Sequence, residues 1–176
     1  MNLWHDISAG KKTPEQVNVI IEIPKGSRVK YELDKETGLI QFDRVLYSPM
    51  HYPANYGFVP RSLWEDGDPL DVLVLAHDAI VPGALVEARV IGVLDMNDGG
   101  EDDAKVLAVP VTDPRFKNTH DISNLEPHLL SEIQHFFSVY KQLENKEVTV
   151  GEWRGREDTL EVVKRSFDLY REKYGE

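Results

Sequence analysis

The chain has 176 residues, of which 41% are hydrophobic and 29% charged; that balance suits one globular domain and excludes a disordered chain, a coiled coil or a collagen. Its 20 basic and 31 acidic residues give a net charge of −11, which argues against a protein held to nucleic-acid backbone or to an anionic membrane surface. It contains no cysteine, so disulfides, thiolate metal sites and cysteine nucleophiles are excluded and a cytoplasmic setting is expected.

The opening residues MNLWHDISAGKKTPEQ hold no apolar stretch of signal-peptide length, and an unexported protein is expected. Val17, Val19, Ile21 and Ile23 alternate with Asn18, Ile20 and Glu22, a half-buried strand stopped by Pro24. Val29, Tyr31 and Leu33 alternate with Arg28, Lys30 and Glu32, the Thr37-Gly38 pair marks a turn, and Leu39 to Phe42 start another strand. Residues 48–69 are rich in Pro, Gly, Asn and aromatics and read as a long irregular loop, a kind that is usually functional. Strands follow at about 70–76, 84–94 and 104–111. The period then changes. Leu129, Leu130, Ile133, Phe136, Phe137, Tyr140 and Leu143 share one helix face, with Pro127 in its first turn. A short strand from Glu147 to Trp153 precedes a last helix, expected to start at the capping-box pattern Asp158-Thr159-Leu160-Glu161 and to bury Leu160, Val163, Phe167 and Tyr170. The fold class is α+β, a small barrel with helices packed on it, and residues 1–176 are read as one domain.

Two runs concentrate the negative charge, residues 65–71 and 95–103. For Glu101 and Asp102 a solvated loop is the simpler reading. Asp71 is different, because it stands in the otherwise apolar segment Pro69-Leu70-Asp71-Val72-Leu73-Val74-Leu75. A bare carboxylate there is costly unless paired or bound to a cation. Asp66, Asp68 and Asp71 lie close together with no thiol or paired histidine nearby, an all-oxygen set that favours Mg²⁺ or Mn²⁺ over Zn²⁺. Nucleotide-cradle, serine-nucleophile and zinc-protease motifs are all missing. Singly, Lys30, Glu32, Arg44, Tyr52, Tyr56, Lys105, Tyr140 and Lys141 read equally well as ion pairs or packing. His128 and His135 lie seven apart on one helix face and suit a subunit contact.

The segment Asp66-Gly67-Asp68-Pro69-Leu70-Asp71-Val72 matches the D-x-D-P-x-D-V signature of the family I soluble inorganic pyrophosphatases. Further blocks resemble the same family in the same order: Val19 to Pro24, Lys30-Tyr31-Glu32, Asp43-Arg44, Tyr52 to Gly57, Asp98 to Lys105, and His135 through Lys141. The resemblance implies a five-stranded OB-like β-barrel with two main helices, and hydrolysis of inorganic pyrophosphate to two phosphates. It implies Asp66, Asp71 and Asp103 as ligands of activating Mg²⁺, with Asp98 and Glu32 serving additional metals. It implies Asp68 as the base that takes a proton from the attacking water. Lys30, Arg44, Tyr56, Lys105, Tyr140 and Lys141 then hold phosphate oxygens, Glu22 and Tyr52 support them, and the assembly is a homohexamer. Gly99 departs from the pattern, since several bacterial members carry an acid there. The alternatives weighed against this reading are a Mg²⁺-dependent phosphatase acting on an organic phosphate, a nucleic-acid-binding OB domain, and a non-catalytic cation-binding module.

Overall fold

The computed structural model describes residues 1–175. In chain order it holds β1 (Gln16–Ile23), β2 (Val29–Leu33), β3 (Ile40–Val45), β4 (Asn55–Phe58), β5 (Asp71–Val74), β6 (Leu85–Asp98), β7 (Glu101–Asp102) and β8 (Lys105–Pro110). There follow α1 (Pro127–Val139), β9 (Val148–Gly155) and α2 (Arg156–Tyr174). Strands β1, β4, β5, β8 and β6 are hydrogen-bonded in that order and β1 also pairs with β6, which closes a five-stranded ring. Only β5 and β8 run parallel within it. This is the expected α+β barrel, and closure removes the unpaired edges that an open sheet of these apolar strands would expose. β2 and β3 form a separate hairpin, while β7 and β9 extend from β6. Among the described residues no helix is long and apolar enough to cross a membrane.

The alternation along β5 and β8 faces two ways. Val72, Val74, Val106 and Ala108 join a core cluster with Val162 and Val163 of α2. Leu73, Leu107 and Val109 join another with Ile133, Phe136 and Phe137 of α1. Burying each such side chain contributes about 1.5–3 kcal/mol. Asp71 and Lys105 begin these strands in phase with Leu73 and Leu107, so they emerge on the α1 side.

Four expectations about local structure need correction. β1 is not half-buried. Every residue from Val19 to Ile23 is buried, Glu22 included, because Ile20 packs beneath Trp4, Phe58 and Tyr170 on the face expected to meet solvent. The segment 48–69 is not all loop, since it contains β4. A Cβ on Gly57 would lie 2.0 Å from the Ile20 carbonyl oxygen, so the glycine that reads as loop is what lets β4 lie against β1. α1 ends at Val139, and a 3₁₀ turn over Gln142–Glu144 closes on Asn145 in the left-handed region. That change of phase turns Leu143 outward, 63% exposed. α2 starts at Arg156, ahead of the expected capping box; Thr159 Oγ1 bonds back to the Gly155 carbonyl at 2.8 Å, and the Arg156 N–H donates to Asp121 at 2.8 Å.

Candidate active site

A cavity of about 440 Å³ opens between the barrel, the β2–β3 hairpin and the C-terminal end of α1. The parallel register of β5 and β8 sets Asp71 beside Lys105. Lys105 Nζ donates to Asp71 Oδ2 at 2.7 Å, Asp103 Oδ1 at 2.9 Å and Tyr56 Oη at 2.8 Å. Only 4% of its side chain is exposed. An ammonium buried this far is costly unless fully paired, and here two carboxylates and a hydroxyl meet its three protons. Burial works to lower its pKa, and Asp71, Tyr56 and Asp103 overcome this to hold it well above the ordinary lysine value. The rings of Tyr56 and Phe137 stand 5.2 and 5.8 Å from the same nitrogen, a distance at which their faces add attraction.

Asp66 completes a cluster with Asp71 and Asp103, one oxygen from each lying within 4.8 Å of the others. Burial, then the charge of Asp71, pushes Asp66 up to about 8. Burial, reinforced by Asp103 against the pull of Lys105, pushes Asp71 up to about 6. Three carboxyls thus stand beside one ammonium, and a cation bound among them would favour their charged forms. Three clustered carboxyl oxygens with no sulfur or imidazole fit a hard divalent cation. Glu22, also on the cavity wall, accepts the Leu33 N–H at 2.6 Å, and burial followed by the Asp71 charge pushes its carboxyl up to about 8.

Three further cations on the rim lie against a carboxylate. Lys30 lies 3.4 Å from Glu32 and 3.3 Å from Asp43. Lys141 Nζ donates to Asp98 Oδ2 at 2.5 Å. Lys35 pairs with Asp68. Tyr52, Tyr56 and Tyr140 form an aromatic wall over Phe136 and Phe137, with Tyr140 stacked on Phe136 at 5.2 Å. Burial raises all three hydroxyls above the ordinary tyrosine value, so they stay protonated donors at neutral pH.

Of the residues predicted from sequence, Glu22, Lys30, Glu32, Tyr52, Tyr56, Asp66, Asp68, Asp71, Asp98, Asp103, Lys105, Tyr140 and Lys141 line this one cavity. Arg44 does not. It stands behind the rim, paired with Asp43 and, at 2.9 Å, with the buried Glu144 carboxylate. Sequence reading missed Lys35, Glu101 and Lys146 on the wall and Glu144 behind it. All four sit in charged segments where nothing in the local pattern distinguishes them from solvated residues. Glu101 and Asp102 are exposed as expected, although Asp102 accepts the Trp64 indole N–H at 3.0 Å.

The inorganic pyrophosphatase family model matches residues 19–171. The chain is 53% identical over 167 residues to a soluble inorganic pyrophosphatase of Oryza sativa subsp. indica, covering 95% of this chain and 78% of that one. It is also 53% identical over 171 residues to soluble inorganic pyrophosphatase 2 of Chlamydomonas reinhardtii, covering 97% and 89%. Among solved structures, the inorganic pyrophosphatase from Thermus thermophilus superposes with a TM-score of 0.93 at 44% identity, covering 97% of this chain and 99% of that one. The enzyme from Helicobacter pylori gives 0.90 at 43% identity, covering 95% and 99%. The chain belongs to the inorganic pyrophosphatase family.

Proposed function

We propose that this chain hydrolyses inorganic diphosphate to two phosphates in the cavity described, with Asp68 as the general base. One observation carries the reading: three carboxylates converge beside the buried Lys105 in a cavity ringed by further cations. The resemblance supplies the roles, and the site's chemistry suits them. Asp66, Asp71 and Asp103 would hold Mg²⁺, and Asp98 and Glu32 would serve additional ions. When bound, the ions supply Lewis acidity that lowers the pKa of water and offsets phosphate charge. The Asp68 carboxylate takes a proton from the attacking water. The water oxygen bonds to one phosphorus as the bridging P–O bond breaks, and the bridging oxygen leaves on the second phosphate. Lys30, Arg44, Lys105 and Lys141 steady the charge on the phosphate oxygens, with Tyr56 and Tyr140 donating O–H bonds. Glu22 and Tyr52 brace the wall. No phosphoenzyme is needed.

Arg44 reaches a phosphate only if its guanidinium turns from Glu144. Lys30 and Lys141 already have carboxylate partners, so diphosphate and metal are expected to bind together, the metal taking carboxylates as the anion takes these two cations. The wall is mostly ionisable and offers an organic group little apolar contact, which favours the inorganic substrate over an organic phosphate. We further propose that residues 1–176 act as one domain in the cytoplasm, assembled as a homohexamer, without nucleic acid or membrane as partner; light scattering giving a mass near 20 kDa at all concentrations would contradict the assembly. A phosphate-release assay tests the reaction: fast release from diphosphate with Mg²⁺, and far slower release from ATP, p-nitrophenyl phosphate and a sugar phosphate. Equal turnover of an organic phosphate would replace this reading, and metal binding without turnover would favour the cation-binding module.

A further inference from the structure

The carboxylate assigned above as the base is held from outside the loop that carries it. Within that loop the backbone braces itself: Asp68 N–H donates to Asp66 Oδ1 at 3.0 Å, and Trp64 N–H donates to the Asp68 carbonyl at 2.7 Å. Neither bond fixes the Asp68 side chain, which is 51% exposed. Among the described residues its carboxylate has one ion-pair partner, Lys35, which is also its side-chain hydrogen-bond donor. Lys35 comes from the tip of the β2–β3 hairpin, and its Nζ also donates to the Gly67 carbonyl at 3.2 Å.

That tip is built to stay in place. Asp34 N–H donates to the Leu39 carbonyl at 2.8 Å, Gly38 N–H donates to the Asp34 carbonyl at 2.7 Å, and the Asp34 carboxylate accepts the Thr37 N–H at 3.1 Å. A Cβ on Gly38 would come within 2.9 Å of Asn2 Cα, so the tip rests on the first residues of the chain. Next to them Trp4, 1% exposed, lies 5.9 Å from Lys35 Nζ and donates its indole N–H to the Ser62 carbonyl at 2.7 Å. Ser62 Oγ in turn accepts the Leu70 N–H at 2.9 Å. One side of Lys35 is thus tied to the base of the same loop whose acid it meets at the other.

We propose that Lys35 is a positioning residue for diphosphate hydrolysis, holding the Asp68 carboxylate in one orientation from the hairpin tip. It works through Asp68 and needs no contact with substrate. The proposal rests on Asp68 being the base, and a double-mutant cycle separates the two claims. Steady-state kinetics with saturating Mg²⁺ are measured for wild type, Lys35→Met, Lys35→Arg, Asp68→Asn and the Lys35→Met/Asp68→Asn double variant, with thermal melts to verify folding. Lys35→Met is expected to lower kcat about fivefold at unchanged KM, the upper end of what an exposed ion pair supports, and Lys35→Arg to recover most of it. In the Asp68→Asn background Lys35→Met is expected to change nothing, because no base is left to orient. The same proportional loss in both backgrounds, a rise in KM at constant kcat, or full activity of Lys35→Met would each overturn the positioning role while leaving Asp68 as base. Wild-type activity of Asp68→Asn would overturn both.

Discussion

The acidic run at 65–71 turns all but Glu65 toward the cavity, whereas the run at 95–103 is divided between inside and outside. In the first, a turn at Gly67 (φ +85) brings Asp66, Asp68 and Asp71 to one wall. In the second, strand β6 sends Asp95 outward to a two-pronged ion pair with Arg154 at 2.8 and 3.0 Å. Three residues on, Asp98 meets Lys141 inside the cavity. The left-handed pair Gly99-Gly100 (φ +62 and +93) then reverses the chain, so that Asp103 returns to Lys105. Charge density along the chain is similar, yet the surroundings differ. Burial above all pushes Asp66 and Asp71 up, in a cluster where three carboxyls stand beside one ammonium, while Asp95 has a whole guanidinium to itself in partial contact with water.

The largest expected effect follows from that imbalance. If the inner carboxylates are arranged for a cation, chelation with EDTA removes essentially all turnover and Mg²⁺ restores it. Ca²⁺, with longer bonds and looser coordination, is expected to bind and support little. Titration calorimetry in EDTA is expected to show diphosphate binding weakly or not at all, since Lys30, Lys105 and Lys141 already face carboxylates. Full activity in EDTA, or Ca²⁺ matching Mg²⁺, would break the distinction between inner and outer acids. Next in size is Asp68→Asn, expected to lower kcat about 10²–10⁴-fold with melting temperature and metal affinity nearly unchanged, as checked by kinetics across pH and by calorimetry.

A paired substitution within β6 sharpens the comparison. Asp98→Asn is expected to lower kcat/KM about tenfold, the usual cost of disturbing a group beside a metal site, and Asp95→Asn to change it by less than about twofold. The two positions are three apart in one strand, so equal effects would mean that the division between inside and outside has no functional content.

Sequence could reveal this site only where the local pattern was violated. Asp71 was legible because it interrupts an apolar strand, and Asp66 and Asp68 because they stand beside it. The blocks in family order made the five-stranded ring legible, and helical periodicity the two helices. What stayed hidden depends on contacts between distant segments. Lys35 reaches Asp68 through the fold of a hairpin tip onto residue 2, and Glu144 meets Arg44 across 100 positions. Both look like ordinary surface charges in their own segments. β4 was hidden because Gly57 is chosen for its close approach to β1, which periodicity does not record. The start of α2 was misplaced for a similar reason: a local capping box was available at Asp158, but a cap from a remote loop won.

That remote cap gives the smallest prediction, and it tests an acid whose surroundings act in the opposite sense to the cavity's. Asp121 accepts the Arg156 N–H at 2.8 Å and the Ser123 N–H at 3.0 Å, and a Cβ on Gly155 would lie 2.9 Å from Asp121 Oδ1 and push that carboxylate aside. Partial burial works to raise this carboxyl, and the N–H donors of Arg156 and Ser123 outweigh it, so its pKa falls below the ordinary aspartate value. A carboxyl lowered on folding contributes stability that is complete above the unfolded pKa of about 3.9 and is lost as pH falls through the lower folded value. Asp121→Asn keeps one acceptor and loses the charge, and is expected to cost about 1 kcal/mol at pH 7, a typical value for a helix cap. Denaturant melts of the two proteins at pH 7 and again below pH 3 check this. The difference should shrink in acid, where the wild-type carboxyl is protonated too, and activity at neutral pH should be unaltered because Asp121 stands outside the cavity wall. A stability gap that stays constant or widens as pH falls would show that the N–H bonds do not favour the charged form.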